Sequence, residues 1–429
     1  MQEYFSVTGN GPINGTVTVS GAKNAALPLL IAGLLTEERC TFKNVPNIHD
    51  VHLLLQLLAH SGSIVEREGS LIHISTPKIV SVEASYSLVK ALRASFWVLA
   101  PLLARAGKAK VALPGGDSIG ARPVDLHLEG LEKMGARIQV VHGVVDADAP
   151  NGLNGAQINL RFTSVGATHQ LLLAAALAKG RTVISGAAKE PEVVALGEML
   201  RGMGLEIKGH GSDEIEIIGR ESLSGTDVTV IGDRIEAGTY AMIAASTRGH
   251  IEIKGFDPKH LGSFLDVMKE IGLEITINDN GIVVKASSNL KPVNLTTEVF
   301  PGFATDLQAV TMAALTTIEG ESSIREEIFE GRFGHVAELS RMGAKIAIQD
   351  HTAIISGGSK LSGAPVSGLD IRAAAALVVA ALAAEGETKI FEPYHLFRGY
   401  DGLDLKLVSL GANAKITMEN PEEHLFSGC

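Results

Sequence analysis

One short motif recurs six times along the 429-residue chain, and its regular spacing restricts the possible folds more than any other feature. Each copy reads as an apolar helix end, a glycine and the start of a strand, as in K-M-G-A-R-I and R-M-G-A-K-I. A period of about 70 residues that covers the whole chain indicates six copies of one structural unit. The glycines, spaced by 73, 69, 68, 71 and 68 residues, are Gly62, Gly135, Gly204, Gly272, Gly343 and Gly411.

Within each unit the sequence predicts the order βαβαββ. A short strand precedes an Ala/Leu-rich helix, and a second strand precedes an amphipathic helix, such as Pro191–Met203 or Pro258–Ile271, that ends at the motif glycine. A hairpin closes the unit, as in Leu273–Asn278 with Ile282–Ala286. The Ala/Leu-rich helices are predicted at Ala25–Leu35, Phe96–Ala106, His169–Lys179, Thr239–Arg248, Leu307–Ile318 and Ala373–Ala384.

These Ala/Leu-rich helices predict how the units assemble. Small side chains allow helices to pack closely in a buried centre, with the sheets outside. Because six units exceed what one core can hold, three and three is the economical division. We therefore expect an α/β fold of two inside-out domains, each with three βαβαββ repeats related by threefold pseudo-symmetry.

A polar or charged residue stands at each junction between an opening strand and its Ala/Leu-rich helix. Threefold pseudo-symmetry would bring the three junctions of a domain to one face. Helix N-termini carry free N–H groups and a partial positive charge, so such a face attracts anions. The junction residues are Lys23, Arg93, Ser164, Asp233 with Arg234, Asp306, and Asp370 with Arg372.

Composition excludes several classes of protein. Apolar residues make up 45% and charged residues 20%, which is typical of a globular chain, and the net charge of −11 argues against nucleic acid or an anionic membrane as partner. Cys40 and Cys429 are the only cysteines, which indicates a reducing compartment. The most apolar segment, Ala373–Ala384, is too short to span a membrane, and the N-terminus has no signal-peptide pattern. We expect a cytoplasmic protein.

Metal and cofactor motifs are missing from the sequence. It contains no C-x-x-C, no H-E-x-x-H and no Walker A segment. Neither a metal nor an organic cofactor is therefore expected.

Six basic residues lie at element ends rather than in charge runs. Any one of them could be a surface charge or a structural ion pair, but the set favours oxyanion binding, to which the planar guanidinium is suited. The residues are Lys23, Arg93, Arg122, Arg332, Arg372 and Arg398.

The segment P-G-G-D-S-I-G-A-R-P, residues 114–123, is the most unusual stretch. Its three glycines predict a mobile loop that could act as a lid, and it carries Asp117 and Arg122. The alternative is a hairpin-like turn in which the aspartate supplies turn chemistry.

Several motifs in order resemble the enolpyruvyl transferases, and among them the branch that acts on UDP-N-acetylglucosamine. They include V-S-G-A-K-N-A-A-L-P, P-G-G-D-S-I-G-A-R-P-V-D-L-H, S-V-G-A-T, G-D-R-I-E-A-G-T, F-A-T-D-L-Q-A, F-E-G-R-F-G-H and H-L-F-R-G-Y. The resemblance covers essentially the whole chain. It implies one domain of residues 23–230 with a lid at 114–123, a second of 1–22 and 231–429, and an active site in the cleft between them.

The same resemblance implies an activity. The enolpyruvyl group of phosphoenolpyruvate would be transferred to the 3-hydroxyl of UDP-N-acetylglucosamine, with release of phosphate, as the first committed step of peptidoglycan synthesis. The partners would be these two small molecules alone, with no nucleic acid, membrane or obligate protein partner.

Individual residues also receive roles from the resemblance. Asp117 is the expected acid, and Asp306 is the expected base, although T-D before a helix is also typical of an N-cap. Lys23, Arg122 and Arg398 would hold the departing phosphate and so take part in catalysis, while Arg332 and Arg372 would bind the carboxylate of phosphoenolpyruvate. Residues expected at the nucleotide sugar are Asn24, Arg93, Arg122, Pro123, Val124, Asp125, Ser164, Val165, Gly166, Asp306 and Ile328.

The chain departs from the family at two positions. Asp117 stands where the family usually has cysteine, which implies insensitivity to fosfomycin, a drug that alkylates that cysteine. Phe162, beside Arg161, replaces a family lysine before S-V-G-A-T, which leaves the contact at the nucleotide end open.

Two alternative functions share features with this sequence. The sister enzymes that act on shikimate 3-phosphate carry an aspartate in their own G-D…R-P segment, but G-A-K-N-A-A-L-P differs from their G-S-K-S pattern. A six-repeat DNA clamp would need basic residues along its inward helices, and Ala25–Leu35 and Ala373–Ala384 are almost free of charge.

Overall fold

A computed structural model of the protein describes residues 2–84, 86–115 and 123–419. Among these residues the chain forms two compact units, each with its own hydrophobic core. The first unit contains residues 21–115 and 123–231, and the second contains residues 2–20 and 232–419.

The helices alternate with strands along both units. Four short 3-10 helices, Gly33–Leu35, Arg93–Val98, Pro258–Leu261 and Thr305–Leu307, adjoin them. The α-helices of the described residues are α1 (Lys23–Ala32), α2 (His49–Ser61), α3 (Tyr86–Ala91), α4 (Leu99–Ala106), α5 (Asp125–Lys133), α6 (Val165–Ala175), α7 (Pro191–Gly202), α8 (Arg234–Thr247), α9 (Phe264–Ile271), α10 (Gln308–Leu315), α11 (His335–Arg341), α12 (Ile371–Ala383), α13 (Tyr394–Phe397) and α14 (Leu403–Ser409).

The described strands form six four-stranded sheets with one repeated order, in which a short edge strand runs parallel to its neighbour and the other two pairs are antiparallel. The sheets of the first unit are Asp227–Thr229, Cys40–Lys43, Leu71–Ser75, Ile64–Glu68; Glu83–Ala84, Lys108–Ala112, Val144–Asp148, Arg137–Val141; and Gln157–Asn159, Arg181–Ser185, Glu214–Ile218, Glu206–Lys208. Those of the second unit are Asn14–Thr18, His250–Lys254, Gly281–Ala286, Leu273–Asn278; Asn294–Thr296, Glu321–Arg325, Thr352–Ser356, Lys345–Gln349; and Pro365–Ser367, Glu387–Phe391, Gln2–Thr8, Asn413–Glu419.

Three strands complete repeats that are distant in sequence, and one of them, Asn14–Thr18, pairs in parallel with His250–Lys254 and so opens the fourth repeat. Gln2–Thr8 lies between Glu387–Phe391 and Asn413–Glu419 and so closes the sixth repeat. Asp227–Thr229 pairs in parallel with Cys40–Lys43 and so opens the first repeat. Each set of three repeats is thereby completed within its own unit.

The centre of each unit consists of helices. In the second unit α8, α10 and α12 pack on one another, and their residues are almost all buried. In the first unit α4 and α6 pack together, and α1 adjoins the 3-10 helix Arg93–Val98. Because the sheets lie outside these helices, the predicted inside-out α/β architecture is confirmed.

The six motif glycines occupy the backbone conformation that the sequence predicts for them. Each has a positive φ, from 85° at Gly411 to 114° at Gly62, at or just after the end of an amphipathic helix. Residues other than glycine are strained in this left-handed region, because they carry a Cβ. The periodic glycines therefore mark the helix-to-hairpin turn of every repeat.

Helix starts differ from the prediction in two ways. Helices α6 and α8 begin at Val165 and Arg234, several residues before the predicted starts, because Ser164 and Asp233 cap them with side-chain oxygens. The prediction of one helix over Pro258–Ile271 is wrong. Gly262 interrupts it with φ 59° and ψ −139°, and the carbonyl of Pro301 leaves no room for a Cβ there.

No helix among the described residues is long and apolar enough to cross a membrane. Cys40 is fully buried, and burial raises the pKa of its thiol. Cys429 lies outside the described residues.

Close contact between helix ends and the following strands yields a stability prediction. A Cβ at Gly357 would lie 1.8 Å from the carbonyl oxygen of Ile318, three residues after the end of α10. Gly357→Ala should therefore force a backbone shift and destabilise the second unit by about 3 kcal/mol, measured by calorimetry.

Gly334→Ala is the matched control. Gly334 has a helical φ of −56°, and its nearest contact for a Cβ is ordinary, 3.5 Å from Leu369. This variant should be as stable as the wild type or slightly more stable. Equal melting of the two variants would contradict the close approach at Gly357.

Candidate active site

The polar junction residues stand where the central helices begin, as predicted. Lys23 is the first residue of α1, and Arg93 is the first residue of the 3-10 helix before α4. Asp306 lies in the 3-10 helix before α10. The side chains of the remaining three, Ser164, Asp233 and Asp370, cap α6, α8 and α12.

Asp306 brings together two arginines that are distant in sequence. Its Oδ1 accepts a hydrogen bond from Nη2 of Arg332 at 2.7 Å, and its Oδ2 accepts one from Nη2 of Arg372 at 2.8 Å. Both guanidinium groups are buried, whereas the Asp306 side chain is 24% exposed. The carboxylate is therefore the most exposed group of this cluster.

Electrostatics favours the ionised form of Asp306. Desolvation alone would raise the pKa of the carboxyl group, but the charges and hydrogen bonds of Arg372 and Arg332 outweigh it and hold that pKa well below its ordinary value. The same carboxylate raises the pKa of Arg372 against the opposing effect of desolvation. Neither α10 nor the 3-10 helix before it has a side-chain capping bond, so the N-cap alternative for Asp306 is wrong. Its carboxylate accepts hydrogen bonds from the two arginines instead.

Arg332 retains hydrogen-bonding capacity beyond this ion pair. Its Nη1 donates to Thr305 at 2.9 Å, and its Nε is buried with no hydrogen-bond partner among the residues that the structure describes. A buried donor without an acceptor is costly. An anionic ligand would satisfy it.

Arg398 is a further buried arginine of the second unit. It follows α13 directly and is 6% exposed, and its guanidinium carbon lies 6.0 Å from the ring centre of Tyr394. Ile328, expected at the nucleotide sugar, is half-buried, and its N–H donates to Glu326.

In the first unit Lys23 forms a buried ion pair. Its Nζ lies 2.6 Å from Oδ2 of Asp50, a fully buried carboxylate in the first turn of α2. Asn24 and Arg93 are both half-buried at helix starts. The ion pair fixes the position of the lysine at the start of α1.

Three of the expected nucleotide-sugar residues of the first unit, Gly166, Asp125 and Arg93, lie near His127. A Cβ on Gly166 would lie 3.2 Å from the His127 ring, which stands two residues after Asp125 on α5. Burial lowers the pKa of His127 to about 3, and the charge of Arg93 acts in the same direction. The start of α6, the start of α5 and Arg93 are therefore neighbours.

The departure from the family at Phe162 lies beside these residues. Phe162 is 55% exposed, and Arg161 forms ion pairs with Asp125 and with Glu129. Burial tends to raise the pKa of Asp125, but the hydrogen bond from Arg161 outweighs it and lowers that pKa. Pro123 is exposed and Val124 and Val165 are half-buried at the same helix starts.

Asp117 and Arg122 lie outside the described residues, so their predicted roles stay predictions. The sequence did not single out Asp50, His127 or Thr305. His127 stands in the motif P-V-D-L-H, but nothing in a sequence pattern distinguishes a buried Asp50 from the many solvated acids at helix starts.

Metal binding finds no support in the part of the chain that the structure describes. No group of three or more His, Cys, Asp or Glu side chains there could hold a metal ion.

Over nearly its whole length the chain is similar to known carboxyvinyltransferases. The sequence profile of the family described as EPSP synthase (3-phosphoshikimate 1-carboxyvinyltransferase) matches residues 7–407. A UDP-N-acetylglucosamine 1-carboxyvinyltransferase of Rhodopseudomonas palustris strain HaA2 is 49% identical over 421 residues, which cover 96% of this chain and 98% of the relative. The protein of that name from Afipia carboxidovorans is equally similar, 49% over 421 residues with the same coverage.

Solved structures show the same fold. The enolpyruvyl transferase NikO from Streptomyces tendae superposes with a TM-score of 0.88 at 25% identity, covering 98% of this chain and 100% of that one. EPSP synthase from Acinetobacter baumannii superposes with a TM-score of 0.74 at 20% identity, covering 97% of this chain and 100% of that one. The second likeness concerns the fold alone.

The buried His335 beside Arg332 gives a prediction on pH dependence. Burial lowers its pKa to about 3, with the charge of Arg332 acting in the same direction, and its Nε2 lies 3.2 Å from the sulfur of Met312. The folded protein keeps this histidine neutral, whereas the unfolded chain takes up a proton below about pH 6.5. The free energy of unfolding should therefore fall as the pH drops from about 6.5 towards 3.

Urea unfolding of His335→Leu at pH 7.5 and pH 5.0 checks this effect. The wild type should lose about 2 kcal/mol more than the variant between the two values. Met312→Leu is the control, because it changes the same contact without removing a titrating group, and it should keep the wild-type pH dependence. An unchanged pH dependence in His335→Leu would contradict the burial of a neutral imidazole.

Proposed function

The chain belongs to the EPSP synthase family of carboxyvinyl, or enolpyruvyl, transferases, and on that premise we propose its specific reaction. It transfers the enolpyruvyl group of phosphoenolpyruvate to the 3-hydroxyl of UDP-N-acetylglucosamine and releases phosphate. The observation that carries this proposal is the pair of buried arginines on Asp306, read together with relatives of that activity at 49% identity over nearly the whole chain.

The reaction needs three chemical functions. An acid must protonate the methylene carbon of phosphoenolpyruvate, a base must take the proton of the attacking hydroxyl, and cations must stabilise the departing phosphate. Asp117 is the proposed acid and Asp306 the proposed base. Lys23, Arg122 and Arg398 are proposed to hold the phosphate.

Arg332 and Arg372 suit the carboxylate of phosphoenolpyruvate. Guanidinium groups bind carboxylates through paired, charge-assisted hydrogen bonds, and both groups already do so with Asp306. The buried Nε of Arg332 supplies a further donor. A substrate carboxylate would therefore compete with Asp306 for the same cations.

This competition explains how Asp306 could act as a base. A carboxylate whose pKa lies well below the ordinary value accepts a proton poorly. When the substrate carboxylate engages the arginines, their hold on Asp306 weakens, and the added negative charge raises its pKa. Binding of phosphoenolpyruvate would thus prepare the base for the sugar hydroxyl.

The nucleotide sugar is assigned to helix starts of the first unit and to Ile328 of the second. Half-buried positions and free helix N–H groups suit phosphates and hydroxyls. The exposed ring of Phe162, in place of the family lysine, offers an aromatic surface at the nucleotide end. The proposed residues are Asn24, Arg93, Arg122, Pro123, Val124, Asp125, Ser164, Val165, Gly166, Asp306 and Ile328.

The reaction is proposed to serve as the first committed step of peptidoglycan synthesis, and thereby cell shape and division. A cytoplasmic location belongs to the same proposal, and so does activity without a protein partner. Residues 114–123 are proposed as a lid over the reacting groups.

An acceptor assay decides between this function and its closest alternative. The purified protein should release phosphate from phosphoenolpyruvate with UDP-N-acetylglucosamine and not with shikimate 3-phosphate. The family description names the second acceptor, but the relatives at 49% identity carry the name of the first. Phosphate release with shikimate 3-phosphate alone would overturn the proposal.

Substitutions of Asp117 test the acid. Asp117→Asn removes the transferable proton, so turnover should fall by at least about a hundredfold, while calorimetry should show nearly unchanged binding of the nucleotide sugar. Asp117→Cys keeps an acidic group and should remain active.

Fosfomycin supplies the control for the same position. A carboxylate is a far poorer nucleophile towards an epoxide than a thiolate. The wild type should therefore stay active in fosfomycin, and Asp117→Cys should be inactivated with one covalent adduct in mass spectrometry. A stable adduct on the wild type, or full activity of Asp117→Asn, would refute the assignment.

A further inference from the structure

A buried carboxylate, that of Glu326, is connected to Arg332 through the hydroxyl of Thr305. It is 2% exposed and has no role in the proposed chemistry. It follows the strand Glu321–Arg325 and precedes the segment that contains Ile328 and Arg332. A buried acid is stabilised only where several donors compensate its desolvation.

Four donors meet this carboxylate. Its Oε1 accepts from the hydroxyl of Thr297 at 2.8 Å. The same oxygen accepts from the N–H groups of Ile328 at 2.9 Å and Phe329 at 3.1 Å. Its Oε2 accepts from the hydroxyl of Thr305 at 2.9 Å. Three of these donors share Oε1 and one binds Oε2, so both oxygens of the buried carboxylate accept hydrogen bonds.

The bond to Thr305 sets the direction of a chain of hydrogen bonds. The hydroxyl has one proton, which it gives to Glu326, so its oxygen is left to accept from Nη1 of Arg332 at 2.9 Å. A guanidinium can only donate, which requires this orientation of the hydroxyl. The adjacent Nη2 of Arg332 then donates to Asp306 at 2.7 Å.

We propose that Glu326 is a positioning residue: through Thr305 it holds the guanidinium of Arg332 in the orientation that receives the carboxylate of phosphoenolpyruvate. Through two backbone N–H groups it also ties the segment of Ile328 to the same point. The inference rests on the proposed function for the identity of the ligand, but the hydrogen-bond chain itself does not.

Substitution of Thr305 provides the sharpest test, because its hydroxyl alone connects Glu326 to Arg332 in this chain of hydrogen bonds. Thr305→Val keeps the shape and removes the hydroxyl, whereas Thr305→Ser keeps the hydroxyl. Thr388→Val is the matched control, since its buried hydroxyl in the strand Glu387–Phe391 has no hydrogen-bond partner among the described residues.

Steady-state kinetics separates positioning from structural support. Thr305→Val should lower kcat/KM for phosphoenolpyruvate by about tenfold or more, because a displacement of about 1 Å in a binding group has effects of that size. Its KM for UDP-N-acetylglucosamine should change less than threefold. Thr305→Ser and Thr388→Val should stay within about threefold of the wild type on both substrates.

Glu326→Gln extends the test to the carboxylate. It should lower kcat/KM for phosphoenolpyruvate about as much as Thr305→Val and also raise KM for the nucleotide sugar. The kcat/KM of the double variant for phosphoenolpyruvate should be no lower than that of the less active single variant, because both changes break the same chain of hydrogen bonds. The proposal would be overturned if the two losses in kcat/KM multiplied in the double variant. It would also be overturned if Thr305→Val and Thr305→Ser had equal kcat/KM for phosphoenolpyruvate.

A crystal structure of Thr305→Val gives a readout that needs no activity and remains decisive if Glu326→Gln fails to fold. Displacement of the Arg332 guanidinium from its wild-type position is expected, and an unmoved guanidinium would overturn the inference. If the wild type shows no turnover with UDP-N-acetylglucosamine, the proposed function fails, and this structure still decides the role of Glu326.

Discussion

Close packing of the central helices is the constraint on which the rest of the structure depends. In the second unit α8, α10 and α12 contact one another with almost every residue buried, which only small and apolar side chains allow. The charged residues of these helices, Arg234 and Glu236 in α8 and Arg372 in α12, all lie in the first turn. Asp233, Asp306 and Asp370 all stand at those starts, and this is where the charged chemistry of the unit is concentrated.

The charged groups at these helix starts hold one another in place. Asp306 joins Arg332 and Arg372, Thr305 joins Arg332 to Glu326, and Asp370 caps the helix that carries Arg372. Removing one partner of a buried ion pair leaves an uncompensated charge, which costs about 3–5 kcal/mol. In the proposed function these interactions hold the cations in place until an anionic substrate replaces them.

Much of this arrangement was predictable from the sequence. The spacing of the glycines gave six repeats, and their positive φ values follow from the helix-to-hairpin turn that glycine favours. Polar residues between strand and helix indicated the helix starts. The start at Val165 was not predicted because the Ala/Leu-rich pattern begins later, whereas the capping bond from the N–H of Ala167 to Ser164 sets the first turn. The break at Gly262 was missed because it depends on the carbonyl of Pro301, which is distant in sequence.

Which acid pairs with which cation could not be predicted, because such pairs are made by tertiary contact. Asp50 with Lys23, and Glu326 with Thr305, have no spacing that distinguishes them from solvated residues. Motifs could suggest that Arg332 and Arg372 bind a carboxylate, but not that Asp306 already occupies both. That competition is the central physical claim about the reaction.

A crystal structure of Asp117→Asn with phosphoenolpyruvate and UDP-N-acetylglucosamine tests this claim most directly. We expect the carboxylate of phosphoenolpyruvate to lie about 3 Å from the guanidinium groups of Arg332 and Arg372, with Asp306 facing the 3-hydroxyl of the sugar. Both arginines still bound to Asp306, with the carboxylate of phosphoenolpyruvate held by other residues, would contradict it.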